Sequence, residues 1–174
     1  MEVYLVRHTE TVCKKGICYG QSDVDLKVPF LEQFESIKKQ LPSDAVFYSS
    51  PLSRCTALAK YLSSSSISID SRLMEMNFGD WEMKKWDAIP EADFTPWMTD
   101  FVNVTVPNGE SFVALHYRVN EFLEELVSKY NSKKIVLITH AGVIRSILCA
   151  YSNSPLKDAF TNKVDFGDVI KIEL

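Results

Sequence analysis

The feature that most constrains this chain is an apolar run at its start that leads directly into an arginine and a histidine. Residues 3–6 (VYLV) are aliphatic or aromatic, which predicts a strand buried on both faces. Arg7 and His8 follow where this strand must end. Ligands of an open parallel sheet bind beyond the carboxyl ends of its strands, so we expect both side chains to face a cleft. A guanidinium suits phosphoryl oxygens and a neutral imidazole can attack phosphorus, while a structural ion pair and a strand cap are the alternative interpretation.

A second apolar run, which also predicts a buried strand, is followed directly by a histidine. Residues 135–139 (IVLIT) precede His140, and Ala141 and Gly142 then open an apolar helical pattern. The first N–H groups of a helix lack intrahelical partners and form an anion site. Because two of the chain's three histidines follow such runs, we expect His8 and His140 to meet at one site.

The composition is that of an ordinary globular protein and has no excess of basic residues, which argues weakly against nucleic-acid binding. With 174 residues the chain is most simply one domain, spanning 1–174, and its net charge of −4 leaves no excess of cations to neutralise a phosphate backbone. No apolar run approaches the length of a membrane span, and we expect no targeting segment, because the strand-like run already starts at residue 3. The four cysteines show no metal-ligand spacing. We therefore expect a cytoplasmic protein with free thiols, no metal, no cofactor, no nucleic-acid partner and no membrane contact.

Strand-like and helical runs alternate along the chain, which predicts an α/β fold. Apolar spacing and breaker residues predict further helices over 29–41, 51–62 and from 110 onwards, and further strands over 45–48, 67–70 and 168–174. Ser50 is expected to cap the second of these helices, with Arg54 in its first turn. The long helix is expected to bury a set of apolar residues, Val113, Tyr117, Phe122, Leu123, Leu126 and Tyr130. The prediction is a three-layer α/β/α sandwich with a mainly parallel sheet and one antiparallel edge strand.

Two loops between these elements carry carboxylates whose roles the sequence leaves partly open. The loop over 9–26 is expected to cover the site, with Asp23 fixing the loop rather than acting as a nucleophile, since no buried strand precedes it. Residues 73–82 (LMEMNFGDWE) place Glu75 between two methionines. A desolvated general acid and a solvated surface carboxylate are equally open for Glu75.

An aromatic-rich segment at about 83–108 is expected to be a partly helical insert. It carries a set of large side chains, Trp86, Phe94, Trp97, Met98 and Phe101. These side chains could wall a substrate pocket, but a satellite core beneath a long connection is the favoured interpretation. His116, in the helix that follows, has no visible partner and is interpreted as a packing or surface residue.

Five residues, four of them at or just beyond predicted strand ends, form a complete set for phosphoryl transfer: Arg7, His8, Arg54, Glu75 and His140. One histidine would attack phosphorus, two arginines and the second histidine would neutralise the phosphoryl oxygens, and a carboxylic acid would protonate the leaving oxygen. The sequence has no glycine-rich Walker loop, no cluster of metal-binding carboxylates and no CxxxxxR thiol motif. It therefore favours a phosphoryl-transfer enzyme that needs no metal.

Five stretches resemble, in order, the motifs of the histidine phosphatase superfamily, also called phosphoglycerate mutase-like. They are LVRHTET, SSPLSRC, LMEMNFGDWE, NGES and LITHAGVIR, and together they cover nearly the whole chain. The resemblance implies the phosphoglycerate mutase-like fold, with His8 as the nucleophile and Glu75 as the proton donor. It implies a phosphate pocket formed by Arg7, Arg54 and His140. Residues 73–82 look like the acid loop of this family.

Within that superfamily, RHTET followed by GICYGQSDVDL is similar to the α-ribazole-5′-phosphate phosphatases of cobalamin nucleotide-loop assembly. This resemblance implies a small phosphorylated metabolite, α-ribazole 5′-phosphate, as the substrate. The residues expected to contact it are Tyr19, Gly20, Gln21 and Ala141. The chain departs from the pattern at Met83 and Asn108, where glycine is usual, and in VPFLEQF, which lacks a glycine. We expect these departures to lie beside the phosphate pocket rather than in it.

Other functions are left as alternatives. The same fold could carry a phosphoglycerate mutase-like phosphotransferase or a broad-specificity sugar or nucleotide phosphatase, although the mutases it resembles have longer inserts. The phosphohistidine protein phosphatases are similar in size but lack the acid loop that carries Glu75. A non-catalytic phosphate-binding domain would be expected to have lost His8, Arg54 or His140, and none is lost. The oligomeric state is left open.

Overall fold

A five-stranded sheet forms the centre of the computed structural model, which describes residues 1–130 and 132–174. Its strands are β1 (Glu2–Arg7), β2 (Val46–Ser49), β3 (Ile67–Ile69), β4 (Lys134–Thr139) and β5 (Val169–Glu173). They lie in the order β3-β2-β4-β1-β5. β1 pairs in parallel with β4 and antiparallel with β5, and β2 runs parallel to β3 and β4. The predicted mainly parallel sheet with one antiparallel edge strand is confirmed.

Helices cover both faces of this sheet. They are α1 (Leu31–Lys38), α2 (Ser53–Leu62), α3 (Glu91–Thr99), α4 (Phe112–Lys129) and α5 (Ala141–Tyr151). Leu5 and Leu137 pack in a core cluster with α4 and α5, whereas Val6 and Ile138 pack in a second cluster with α1 and α2. Successive strand residues point to opposite faces, so the apolar runs of β1 and β4 supply both clusters. The three-layer α/β/α architecture is confirmed.

The start of α2 differs from the sequence prediction. Its N-cap residue is Leu52, not Ser50, and no side chain caps it. Ser50 lies buried just beyond β2, and its hydroxyl is instead 2.8 Å from His140 Nε2. The carboxylate of Asp23 accepts hydrogen bonds from Ser53 N at 2.9 Å and from Ser53 Oγ at 2.6 Å. Asp23 therefore fixes the loop against α2, as expected, and Arg54 lies in the first turn.

The buried face of α4 also differs in part from the prediction. Ser111 caps the helix by accepting a hydrogen bond from Ala114 N at 3.2 Å. From that start, the residues that face the core are Phe112, Leu115, Val119, Phe122, Leu123 and Leu126. Tyr117 is 66% exposed and Val113 only half-buried, so their assignment to the core was wrong. Val113 follows Phe112 by one position, and Tyr117 follows His116 by one position. Both therefore lie to the side of the apolar stripe that the 3.6-residue period of the helix defines.

The aromatic segment packs into the main core rather than forming a separate cluster. Trp97 of α3 is buried, and its ring centroid lies 5.6 Å from that of Trp81 and 5.9 Å from that of Trp86. Phe101 extends the contact to Phe112 of α4, with ring centroids 5.6 Å apart. The expectation of a satellite core was therefore wrong, because these rings reach α4 and join the larger cluster.

Short 3-10 helices lie between the longer elements, at Ser71–Leu73, Gly79–Trp81, Trp86–Ala88 and Leu156–Thr161. Among the helices of the described residues, none combines the length and the apolar character that a membrane crossing requires.

Candidate active site

The sheet register brings the two strand-end histidines together. Arg7 at the end of β1 pairs with Thr139 at the end of β4, so the next residue of each strand lies at the same point of the sheet edge. The rings of His8 and His140 meet edge to face, with centroids 5.1 Å apart, and are 3% and 0% exposed. The predicted meeting of both histidines at one site is what the structure shows.

His8 presents one defined nitrogen for reaction. Its Nδ1 lies 2.8 Å from the carbonyl oxygen of Thr9, so we assign the ring proton to Nδ1, which donates to that carbonyl. The assignment leaves an unprotonated lone pair on Nε2. Burial, reinforced by the charges of Arg54 and Arg7, lowers the pKa of His8 to about 3 despite the bond to Thr9. At neutral pH the ring is uncharged.

His140 is equally neutral in the free protein. Its Nε2 lies 2.8 Å from Ser50 Oγ and 3.5 Å from Cys55 Sγ. Burial is the largest influence, followed by His8 and the nearby arginines, and together they hold the pKa of His140 well below its usual value. The positive charge of the site therefore comes from arginine. His140 was expected to neutralise charge on the phosphoryl oxygens, but an uncharged ring can contribute only a hydrogen bond.

Two arginines lie beside the histidines, and each has an N–H donor without a hydrogen-bond partner in the described residues. Arg7 Nη1 donates to Val164 O at 2.8 Å, and its guanidinium stacks 3.7 Å from the ring centroid of Phe166. Arg54 is 1% exposed and donates through Nη1 and Nη2 to carbonyls of the loop that precedes α1. In both arginines Nε is buried without a hydrogen-bond partner in the described part of the chain. Buried polar groups are normally paired, so two such donors beside His8 mark an anion site.

Glu75 reaches the same edge of the sheet from the acid loop. Its Oε2 accepts a hydrogen bond from Gly142 N at 3.1 Å and its Oε1 from Met76 N at 2.9 Å. A Cβ at position 142 would lie 2.2 Å from Glu75 Oε1, so this contact requires glycine. The start of α5, expected to bind an anionic ligand directly, thus binds the carboxylate of Glu75. Glu75 is half-buried, and its carboxylate has lone pairs beyond those that these two hydrogen bonds occupy.

Arg118 of α4 fixes the backbone of the acid loop. Its Nη1 donates to the carbonyls of Arg72 at 2.6 Å and Met74 at 2.8 Å, and its Nη2 to that of Glu75 at 3.1 Å. An ion pair with Glu110, 2.7 Å from Arg118 Nε, orients the guanidinium. The acid loop is therefore attached to the long helix through a rigid planar fork.

A cleft of about 730 Å³ opens beside the anion site, and Arg7, Tyr19 and Phe166 line it. Of the other expected substrate contacts, Gly20 and Ala141 are buried, and Gln21 Nε2 donates to Glu75 O at 3.0 Å. Direct contact of these three with a substrate stays a prediction.

A small apolar recess adjoins Glu75, and Trp97, Phe101 and Phe160 line it. The aromatic segment thus reaches the site as well as the core. His116 lies elsewhere: its Nδ1 is 2.9 Å from Ser146 Oγ, which links α4 to α5 as a packing residue would.

Sequence reasoning missed several contributors to the site. The carbonyls of Thr9 and Val164 orient His8 and Arg7, and backbone atoms leave no mark in a sequence. Ser50 was visible beside Pro51 but was interpreted as a helix cap. Phe166 precedes β5 in a stretch without periodicity, so only the antiparallel pairing of that strand with β1 explains its position. In the described residues, no group of three or more His, Cys, Asp or Glu side chains is placed to hold a metal ion.

Known proteins similar to this chain include phosphatases and proteins named as phosphoglycerate mutases. A family model for the histidine phosphatase superfamily, branch 1, matches residues 3–174. The metal-independent phosphoserine phosphatase of Arabidopsis thaliana is 30% identical over 96% of this chain and 77% of its own length. The adenosylcobalamin/alpha-ribazole phosphatase of Escherichia coli is 27% identical over 96% of this chain and 87% of its own. The crystal structure of the alpha-ribazole phosphatase from Shigella flexneri superposes with a TM-score of 0.91 at 27% identity, covering 100% of this chain and 91% of that one. These relatives support phosphatase activity.

Proposed function

This chain belongs to the histidine phosphatase superfamily, and we propose that it is a metal-independent phosphomonoesterase that works through a phosphohistidine at His8. One observation carries the proposal. A buried, neutral imidazole with its lone pair on Nε2 lies beside two arginines, Arg7 and Arg54, whose buried Nε donors have no partner in the described chain. A tetrahedral dianion is the group that such an arrangement binds and attacks.

In the proposed first step, His8 Nε2 attacks phosphorus and the bond to the leaving oxygen breaks. The electron pair of that bond goes to the leaving oxygen, which takes a proton from the carboxyl group of Glu75. In the second step, water attacks the phosphohistidine and gives its proton to the Glu75 carboxylate. Inorganic phosphate leaves, and His8 regains its lone pair. One carboxyl group thus serves as acid and then as base.

The remaining groups would stabilise the charge on the transferring phosphoryl group. The forks of Arg7 and Arg54 offer donors fixed in place before the substrate arrives, which is the condition for effective electrostatic stabilisation. His140 would add a neutral hydrogen bond. Arginines supply here the positive charge that a divalent ion supplies in metal-dependent phosphatases.

For the substrate, we propose a small phosphorylated metabolite with a flat leaving group, α-ribazole 5′-phosphate being the first candidate. The rings of Tyr19 and Phe166 line the cleft beside the anion site, where a base could stack. The Escherichia coli relative named for this activity supports the choice. O-Phosphoserine is the second candidate, favoured by the Arabidopsis relative named for it.

The decisive experiment is to trap the intermediate. The protein is mixed with p-nitrophenyl phosphate, denatured in alkali, where phosphohistidine survives, and mapped by mass spectrometry. We expect one phosphoryl group on His8, and no adduct and no turnover in His8→Ala. His116→Ala, which changes the histidine outside the site, is the matched control and should keep both. A phosphorylated residue other than His8, or a His8→Ala variant that keeps about a tenth of wild-type kcat, would refute the mechanism.

A further inference from the structure

The carboxylate of Glu82, at the end of the acid loop, is enclosed by backbone N–H groups. It accepts hydrogen bonds from Gly20 N at 2.9 and 3.1 Å, Gln21 N at 2.9 Å, Ser22 N at 3.2 Å and Phe78 N at 3.1 Å. Three of these donors are consecutive residues. Successive backbone amides that converge in this way form a concave anion site, and here the anion is a side chain of the protein itself.

The same short loop, residues 20–22, holds Arg54 from its other side. Arg54 Nη1 donates to Ser22 O at 2.9 Å, and Arg54 Nη2 donates to Gly20 O. The carbonyl of Gly20 and the N–H of Gln21 belong to one peptide group. That peptide group therefore bridges the Arg54 guanidinium and the Glu82 carboxylate, and hydrogen bonds in such a chain polarise and strengthen one another.

The loop closes over Glu82 only because position 20 has no side chain. A Cβ there would lie 1.8 Å from Met76 O and 3.0 Å from Glu82 Oε1. The side chain of Gln21 adds a second tie, since its Nε2 donates to Glu75 O at 3.0 Å. Loop 20–22 is thus bound to the acid loop on one side and to the phosphate-binding arginine on the other.

The hydrogen bonds from loop 20–22 favour the charged form of Glu82. Burial alone would raise its pKa, but the hydrogen bonds from the loop outweigh burial and hold the pKa below its ordinary value. Every one of these donors stabilises the charged form. Glu82 therefore makes a fixed contact, through a charged carboxylate, with the backbone of loop 20–22.

We propose that Glu82 is a positioning residue for phosphate binding: it holds loop 20–22 so that the carbonyls of Gly20 and Ser22 aim the Arg54 fork at the phosphoryl group. The inference rests on the proposed function. It assigns Glu82 an effect that passes through Arg54 and is independent of the leaving group. This separates Glu82 from Glu75, whose effect should depend on how much the leaving oxygen needs a proton.

Glu82→Gln tests the proposal, because it keeps the size of the side chain but converts one acceptor oxygen into an NH₂ group. Whichever oxygen is replaced, the NH₂ group faces at least two backbone N–H donors. We expect the Ki of inorganic phosphate to rise about tenfold to hundredfold, the equivalent of one lost charge-assisted hydrogen bond. The kcat/KM values for p-nitrophenyl phosphate and for an alkyl phosphate should fall by the same factor as each other.

Two variants accompany it. Asp80→Asn changes an exposed carboxylate of the same turn that accepts a hydrogen bond from Asn108 Nδ2 at 3.0 Å, and it should keep the wild-type Ki. Glu82→Asp restores two acceptor oxygens at shorter reach and should give an intermediate Ki. Thermal unfolding of each variant establishes that it is folded at the assay temperature, so that Ki reports on folded protein.

A wild-type Ki in folded Glu82→Gln would show that the residue is only structural, and would overturn the proposal. If Glu82→Gln does not fold, the Ki of Glu82→Asp decides in the same way. A loss confined to the alkyl phosphate would also overturn it, since that pattern belongs to a proton donor. Hydrolysis of p-nitrophenyl phosphate and labelling of His8 in the wild-type protein test the proposed function separately, so the two failures are distinguishable.

Discussion

Lowering the pH from 7 to 5 is expected to destabilise the fold through His8. Burial lowers the pKa of His8 to about 3 in the folded protein, whereas an unfolded chain restores a value of about 6.5. Between these two values the unfolded state binds more protons than the folded state. Stability from the neutral ring is therefore fully present above pH 6.5 and is lost as the pH falls.

The size of the loss follows from the linkage relation. Because the folded-state pKa lies well below pH 5, the unfolded-state value alone sets the result. Protonation of one histidine in the unfolded state contributes RT ln(1 + 10^(6.5 − pH)), about 2.1 kcal/mol at pH 5 and about 0.2 kcal/mol at pH 7. Removing the pH 7 value leaves a loss of about 1.9 kcal/mol for His8. His140, whose pKa is also held well below its usual value, adds a loss in the same direction.

Urea unfolding at pH 7 and pH 5, in buffers free of phosphate, measures this quantity for wild type and for His8→Ala. The variant should lose about 1.9 kcal/mol less than wild type on acidification, because every other group titrates in both proteins. His116→Ala is the matched control and should give a smaller relief, since the ring of His116 is only half-buried. Equal losses in wild type and His8→Ala would refute the neutral, buried histidine on which the nucleophile argument depends.

Four further outcomes are expected. Glu75→Gln should slow the single-turnover burst from alkyl phosphates by about 10²–10⁴-fold and leave that from p-nitrophenyl phosphate nearly unchanged, because nitrophenolate leaves without a proton; equal slowing would remove Glu75 from the acid's role. Gly142→Ala should show the same substrate pattern, since its Cβ would lie 2.2 Å from Glu75 Oε1; stopped-flow bursts with both substrates check it, and unaltered alkyl turnover would contradict the contact. EDTA should leave kcat unchanged, because Arg7 and Arg54 supply the positive charge; inhibition reversed by Mg²⁺ would count against metal independence. Finally, kcat/KM should be higher for α-ribazole 5′-phosphate than for 3-phosphoglycerate, and comparable values would refute the substrate proposal while leaving the phosphatase intact.

The sequence by itself determined those elements that depend on a local pattern of apolar and polar residues. The apolar runs of β1 and β4 predicted buried parallel strands, because a side-chain run without alternation must be covered on both faces. The residues that follow each run then had to lie at the carboxyl edge of the sheet, which predicted that His8 and His140 meet there before any contact was known. The final alternating run likewise predicted the edge strand β5.

Tertiary structure decided what each polar group near that edge does. Ser50 carries the sequence signs of a helix cap, yet the pairing of β2 with β4 places its hydroxyl beside His140. The small residues after His140 signalled an anion site at the start of α5, but the anion that Gly142 binds is Glu75. Glu82 and Arg54 are linked through one peptide group of loop 20–22, a contact between segments far apart in the chain. Periodicity reports which face of an element is covered, whereas partner choice depends on distances across the fold that no local pattern encodes.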